Sequence, residues 1–537
     1  MLLKNKLILL FFPLALSVCF AQQQVSDTAS INKLVKYSVS PNFIDFKTNY
    51  FEWQNPSSVG GIYDKLKKGD NTTILHIGDS HLQFDLGAGT TRKRLQQVFG
   101  SRGRGLVFPY AAAGTHSTYD YSSASYGNWR SNRNVSKNIA YQLGVSGVTI
   151  NTRDSLAGFS ISFYNSDLRE SDINLAVVFF KNTDSSFNIK YRLNKNDDWI
   201  FVNVHNSTNK NCVRIPLAAS KFDRYFELRC VKSASAQKEF ECSGVSFEST
   251  EKKGVLYHSV GINGARISSF LRQELNDEQL KTLNPDIIIF DLAANDLAFG
   301  PFDSIGLSKS LLRSLNVIRN SLPNASILIA NIQDISVKER SVINALYYSV
   351  FLRKFSKTNQ IAFYDYYDIA GGKGSINKWL KAGLCASDKC HLSKSGYILK
   401  GELFANALLN SFGNYLMHPN DSLLLIRKPI VIEIKIKDSL NTSILVSKEI
   451  PVKKDVIAKE RVPVKPVPAV VKPVPAVVKP VPVVVKPKKP EPKYYVVKKG
   501  DNLSRIANKY KISVKALQLK NKLKTDFLQI GQKLLIP

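Results

Sequence analysis

Two hydrophobic patterns share this chain. Continuous apolar runs closed by polar or glycine turns recur at 74–77, 254–265, 285–292, 326–330 and 361–364, with helical segments at 91–100, 308–321, 341–359 and 393–412. Strands without a polar face fit a sheet covered on both sides, and strands alternating with helices predict a parallel, doubly wound α/β/α domain. Between 129 and 247 the pattern shortens to alternating runs at 147–151, 159–164, 175–180, 187–193, 199–204, 225–231 and 244–247, separated by Asn, Asp and Ser. Short strands at that spacing predict a β-sandwich inserted behind the first strand of the α/β domain.

The flanking segments differ. Residues 25–70 are polar with scattered aromatics and no clear period, a lead-in to the first domain, and 104–115 reads as an irregular stretch above the end of the first strand. Residues 422–450 alternate apolar and polar positions without a placement in the fold. From Val462 to Lys493, Lys-Pro recurs every seven residues at Lys465, Lys472, Lys479 and Lys486. Proline at that density favours polyproline II, a semi-rigid spacer of about 100 Å at ~3.1 Å per residue. The last 44 residues, 494–537, read strand, helix, helix, strand. The expected organisation is therefore a leader at 1–21, the α/β domain at 22–125 and 254–420, the sandwich at 126–253, an extension and linker at 421–493, and a small βααβ unit at 494–537.

Lys4 and Lys6 precede an apolar run from Leu7 to Leu16, and Cys19-Phe20-Ala21 precedes Gln22, the pattern of a secretory signal peptide cleaved after Ala21. Leu16 to Cys19 loosely matches a lipoprotein box, but the bulky Val18 argues against acylation at Cys19. No later apolar run is long enough to span a bilayer, so the expected location is the periplasm or cell envelope. Of the formal net charge of +31, +16 falls from Pro451 onward. In an exported chain that asymmetry points to an anionic cell surface rather than to nucleic acid, whose binding shows a basic face interleaved with aromatics. Five cysteines follow the cleavage point; Cys385 and Cys390 are spaced to pair in an oxidising compartment and to brace the loop between them.

The candidate chemistry starts at Ile74 to Gln83, ILHIGDSHLQ, where a buried strand runs into a tight turn that lifts Ser80 onto the rim of the sheet. A serine hydroxyl needs a base to remove its proton and a carboxylate to orient that base. Far downstream, Asp388 lies three residues before His391, a spacing that brings both side chains to one side of a turn. The expected catalytic triad is Ser80, His391 and Asp388, with Asp79, His81 and Asp296 as candidate site-lining residues. No His, Cys or carboxylate group has metal-ligand spacing along the chain, so neither a metal nor another cofactor is expected.

Two resemblances add to this. The segment 494–537 resembles a LysM domain in its Y-x-V-x-x-G-D-x-L-x-x-I-A opening and I-G-Q-x-L-x-I-P close. That resemblance implies binding to N-acetylglucosamine-containing glycans such as peptidoglycan, through Gly500, Asp501, Asn502 and Leu503 on one side and Leu528, Gln529 and Ile530 on the other. The α/β part resembles the SGNH (GDSL-like) hydrolases in four ordered blocks: Gly78-Asp79-Ser80, Gly264, Asn295-Asp296 and Asp388-x-x-His391. The third block departs from its usual G-x-N-D because Ala293 replaces the glycine. The family pattern implies an oxyanion hole built from the Ser80 and Gly264 N–H groups and the Asn295 side chain. A β-rich insert between the first two blocks is similar to the layout of bacterial O-acetylpeptidoglycan esterases, in which the insert resembles a carbohydrate-binding module. The implied activity is a serine acetylesterase on peptidoglycan; an esterase on another acetylated polysaccharide and a non-catalytic wall-binding protein remain open at this point.

Overall fold

The computed structural model describes residues 31, 33–54, 57–163, 173–218, 222–274, 276–298, 301–337, 343–417, 494–497, 503–510, 512–521, 523 and 532–536. The leader at 1–21 and the stretches 422–450 and 462–493 lie outside the described residues. The chain divides into two units, Met1–Leu445 and Val446–Pro537.

The first unit opens with a helix, Ser57–Lys68, inside the segment that shows no clear period in sequence. Strand β1 (Thr72–Gly78) is buried along its whole length and runs into a one-turn helix, Ser80–Gln83, and then the helix Leu86–Phe99. Side chains alternate across β1: Ile74 packs into one core, Leu75 and Ile77 into another. A one-residue slip would exchange the two sets, so that side chains packed in one core would have to fit the other.

A β-sandwich follows, built from β2 (Gly103–Val107), β3 (Tyr121–Tyr126), β4 (Arg130–Arg133), β5 (Val148–Thr152), β6 (Gly158–Phe163), β7 (Leu175–Phe180), β8 (Asn188–Arg192), β9 (Ile200–Val202), β10 (Cys212–Pro216), β11 (Tyr225–Val231) and β12 (Phe240–Glu248). One sheet has the order β10-β7-β12-β5-β4 with β2 also on β12, and the other β3-β6-β11-β8-β9. Their facing aromatics, Phe159, Phe163, Phe179, Phe226 and Phe247, share a core with the lower face of the α/β sheet. Two expectations need correction. Both sheets recruit strands that precede residue 126, because β2 pairs with β12 and β3 with β6. The stretch at 104–115 is also not irregular throughout. Strand β2 occupies its first part, and a Cβ at Gly103 would stand 2.5 Å from the Phe247 carbonyl oxygen, so glycine there permits close strand approach. A buried charge cluster anchors the same strand: Arg104 Nε lies 2.5 Å from Asp120, and Arg92 lies 2.8 Å from Asp85, which also pairs with Arg104.

The chain then returns to the α/β sheet with β13 (Val255–Gly261), β14 (Ile287–Asp291), β15 (Ser326–Ala330) and β16 (Ala362–Tyr364). The sheet order is β13-β1-β14-β15-β16, every pair parallel. Leu307, Leu311, Leu315 and Ile318 of the helix Ser304–Ser321 cover one face, with Leu352 of the helix Ile343–Asn359. Leu95 of the helix Leu86–Phe99 and Leu399, Leu403 and Phe404 of the long helix Lys394–Met417 cover the other. The strand order reverses at β1, and in such sheets the crevice at the carboxyl ends of the strands flanking that point receives ligands. Among the described residues, no helix is long and apolar enough to cross a membrane.

In the second unit, β17 (Tyr494–Val496) pairs antiparallel with β18 (Lys533–Leu535) around the helices Leu503–Lys509 and Val514–Lys520. Val497, Leu503, Ile506, Ala507, Leu517 and Leu534 form its core. Asn521 clasps β18 at both ends of one residue, accepting from Leu535 N–H at 2.7 Å and donating to the Leu535 carbonyl at 2.9 Å.

Candidate active site

Ser80 is the first residue of the short helix after β1. Asp79 caps that helix, its Oδ1 accepting the His81 N–H at 3.0 Å. Glycine is required just before it: a Cβ on Gly78 would stand 2.7 Å from Leu82 Cβ in the same turn. Ser80 Oγ lies 3.0 Å from His391 Nε2, and His391 Nδ1 lies 2.7 Å from Asp388 Oδ2. The turn from 386 to 391 holds this pair from within: Asp388 Oδ1 accepts the Cys390 N–H at 3.0 Å and the His391 N–H at 2.9 Å. Partial burial opposes ionisation of Asp388, but the His391 ring and these two backbone donors outweigh it and hold the carboxyl below its ordinary range.

The site-lining candidates take distinct places. The His81 ring is buried and stacks on that of His391, centroids 5.1 Å apart at 24°, while His81 Nδ1 lies 3.2 Å from the Tyr397 hydroxyl. Desolvation, reinforced by the Lys400 charge, pulls His81 down to about 3, so its imidazole is neutral. Desolvation raises Asp79 to about 7, against the pull of the His81 N–H. Asp296 is raised by burial to about 6 and accepts the Ile267 N–H at 3.1 Å.

Gly264 stands in the turn after β13 with φ +85°, a conformation that suits glycine, and Asn295 follows β14. The Ser80 and Gly264 backbone N–H groups donate to no acceptor among the described residues. Asn295 Nδ2 donates to the Ala265 carbonyl at 3.0 Å. Ala293, which stands where the resembled G-x-N-D pattern has its glycine, keeps a glycine-type backbone at φ 137°, ψ −8°.

Three features escape the sequence. Gln83 Oε1 accepts the Asn263 N–H at 2.7 Å while its amide donates to the His116 carbonyl at 3.2 Å, tying the short helix that carries Ser80 to the glycine turn. Beneath the site, Lys400 Nζ lies 2.8 Å from Asp291 Oδ2, with His76 Nε2 3.6 Å away and the Tyr257 hydroxyl 2.6 Å from His76 Nδ1. Finally, the fold brings His81, Cys390 and His391 together, with one ligand atom from each within 4.8 Å of the others. Linear spacing hides that trio, because His81 and the other two come from opposite ends of the domain. Cys385 and Cys390 are free thiols rather than a bridged pair; the Cys385 thiol faces the Ala386 and His391 carbonyls at 3.2 and 3.3 Å. In the second unit, Leu503 is only 2% exposed and fills the core, whereas Gly500, Asp501, Asn502, Leu528, Gln529 and Ile530 lie outside the described residues.

The LysM domain family matches residues 495–537, so the second unit carries a LysM domain. For the first unit, the solved structure of a peptidoglycan O-acetylesterase is similar over 68% of this chain and 99% of its own, at 20% identity and a TM-score of 0.56. That likeness shows a shared fold. A family two carbohydrate esterase from Clostridium thermocellum (9% identity, 49% of this chain and 94% of its own, TM-score 0.24) and a GDSL-like lipase from Bacteroides thetaiotaomicron (18%, 27% and 72%, TM-score 0.23) are also similar. No curated protein sequence matches the chain.

Proposed function

We propose that this protein is an exported serine esterase that removes O-acetyl groups from peptidoglycan, at the muramic acid 6-hydroxyl, and is held to the wall by its LysM domain. The observation that carries the chemistry is the hydrogen-bonded series from Ser80 Oγ through the His391 ring to Asp388, at 3.0 and 2.7 Å. His391 Nε2 takes the Ser80 proton as Oγ attacks the acetyl carbonyl, and Asp388 keeps Nδ1 protonated so that Nε2 offers its lone pair. The tetrahedral oxyanion is received by the Ser80 and Gly264 N–H groups and the second amide hydrogen of Asn295. Each such donor contributes about 3 kcal/mol to lowering the barrier. His391 then returns the proton to the departing sugar hydroxyl, and a water activated by the same imidazole releases acetate from the acyl-enzyme.

The substrate assignment is supported by two independent features, the LysM domain and the fold likeness to a peptidoglycan O-acetylesterase. The deciding experiment measures acetate release from O-acetylated peptidoglycan beside acetylated xylan, with the mature protein and its Ser80→Ala variant. Release from peptidoglycan that disappears in Ser80→Ala supports the proposal. Release from xylan alone assigns the same chemistry to another glycan, and release from neither leaves a wall-binding protein.

A further inference from the structure

The arrangement of the two histidines around the nucleophile has a second use. His81 is 5% exposed, and its Nε2 is buried without a hydrogen-bond partner among the described residues. Leaving such an atom buried and unpaired is costly unless something occupies it. Cys390 and His391 lie beside the His81 ring, with one ligand atom from each of the three residues within 4.8 Å of the others. Both imidazoles are held at Nδ1 from outside, His391 by Asp388 at 2.7 Å and His81 by the Tyr397 hydroxyl at 3.2 Å. A partner that accepts from Nδ1–H and leaves Nε2 to coordinate is the supporting arrangement of metal-ligating histidines; Asp388 fills that place for His391, and the Tyr397 hydroxyl fills it for His81 when it accepts from Nδ1–H.

We propose that His81, Cys390 and His391 form a binding site for a thiophilic divalent cation, Zn²⁺ in particular, and that occupancy reversibly switches the hydrolase off. Two nitrogens and one sulfur, with solvent in the fourth position, suit tetrahedral Zn²⁺ at about 2.0–2.1 Å to nitrogen and about 2.3 Å to sulfur. Ligand atoms in such a site lie about 3.3–3.8 Å apart, so the three ligand atoms must draw together from separations of up to 4.8 Å. As the S–Zn bond forms, the Cys390 thiol gives its proton to solvent. His391 Nε2, once on the metal, no longer accepts from Ser80. The inhibitory half of this inference rests on the esterase reading; the binding half does not.

The test uses the full mature chain, reduced and freed of metal by a chelator. Co²⁺ is titrated in while the ultraviolet thiolate-to-metal charge-transfer band is recorded, Zn²⁺ affinity is measured by competition with a chromophoric chelator, and ester hydrolysis is followed in parallel. The expected result is one Co²⁺ per chain with a thiolate band in the wild type and in Ser80→Ala. Cys390→Ser should lose the band, and His81→Gln should weaken Zn²⁺ binding roughly 100-fold or more, beyond the range seen for outer-shell changes. Zn²⁺ should inhibit the wild type reversibly and inhibit Cys390→Ser and His81→Gln much less, each judged against its own rate in chelator. Absence of the band, or Zn²⁺ binding unchanged in both variants, overturns the site; binding without inhibition overturns the switch. A chain that binds Co²⁺ through Cys390 but hydrolyses no ester retains the site and refutes the esterase reading instead.

Discussion

The side-chain amide of Asn295 reaches the carbonyl of Ala265 at 3.0 Å, which joins the turn after β14 to the glycine turn after β13. One amide hydrogen is used in this way, and the other is the one that, in the proposed mechanism, meets the developing oxyanion. Asn295→Ala therefore removes a donor and loosens the turn that carries Gly264. A fall in kcat of about 10²–10³ with little change in KM is expected in steady-state hydrolysis of an acetylated substrate. Asn295→Asp, which cannot donate to the Ala265 carbonyl, should lose as much. A loss below about fivefold in both would remove Asn295 from the oxyanion hole.

In the proposed mechanism Asp388 acts on the chemistry through the ring it orients. In Asp388→Asn the amide can present a donor to Nδ1, which favours the tautomer whose Nε2 carries the proton and cannot accept from Ser80. The expected loss is about 10⁴ in kcat, with thermal stability nearly unchanged because the side chain is 51% exposed. Comparable activity in the variant would mean that another carboxylate orients His391.

The chain shows its α/β strands plainly because each is apolar over consecutive residues, and 326–330 is matched at both ends. Ser80, Asp388 and His391 are legible because a nucleophile turn and a D-x-x-H turn are local features. Gln83 is not, since its partners Asn263 and His116 become neighbours only in the folded chain. Lys400 is concealed for a similar reason: on the helix Lys394–Met417 it looks like a surface lysine, yet it is 8% exposed and paired with Asp291. Strand β2 was obscured by Gly103 and Gly105, whose role is to let two backbones touch.

Ala293 offers a test of backbone strain. It is fully buried with φ 137°, where a Cβ is disfavoured and a strained residue costs on the order of 1–3 kcal/mol. Ala→Gly at an ordinary buried position loses about 1 kcal/mol or more from chain entropy and a missing methyl. Release of strain should offset that here, so Ala293→Gly is expected to be neutral or up to about 1 kcal/mol more stable. Chemical denaturation reads the difference. A variant less stable by more than about 1 kcal/mol would show that the backbone at 293 is unstrained.

His258 makes the pH dependence of stability measurable. It is fully buried, its Nδ1 accepts the Leu106 N–H at 3.0 Å, and desolvation, with Arg102, Arg104 and Arg92 adding to it, lowers its pKa to about 3. Between the unfolded value near 6.5 and about 3, the unfolded chain binds a proton that the folded chain refuses. Stability from this group is therefore present above pH 6.5 and falls as the pH drops, by up to about 1.4 kcal/mol per unit. His81, at about 3, acts with the same sign. Asp79, raised to about 7, and Asp296, raised to about 6, act oppositely, since the fold keeps their protons over a range where the unfolded chain releases them. The wild-type curve is thus a balance, and the informative quantity is a difference between two proteins. His258→Asn keeps an acceptor for the Leu106 N–H but cannot titrate. Its unfolding free energy should decline less from pH 6 to pH 4 than that of the wild type, the gap narrowing by up to about 1.4 kcal/mol per unit. Parallel curves would mean that His258 takes up its proton in the fold as readily as in the unfolded chain.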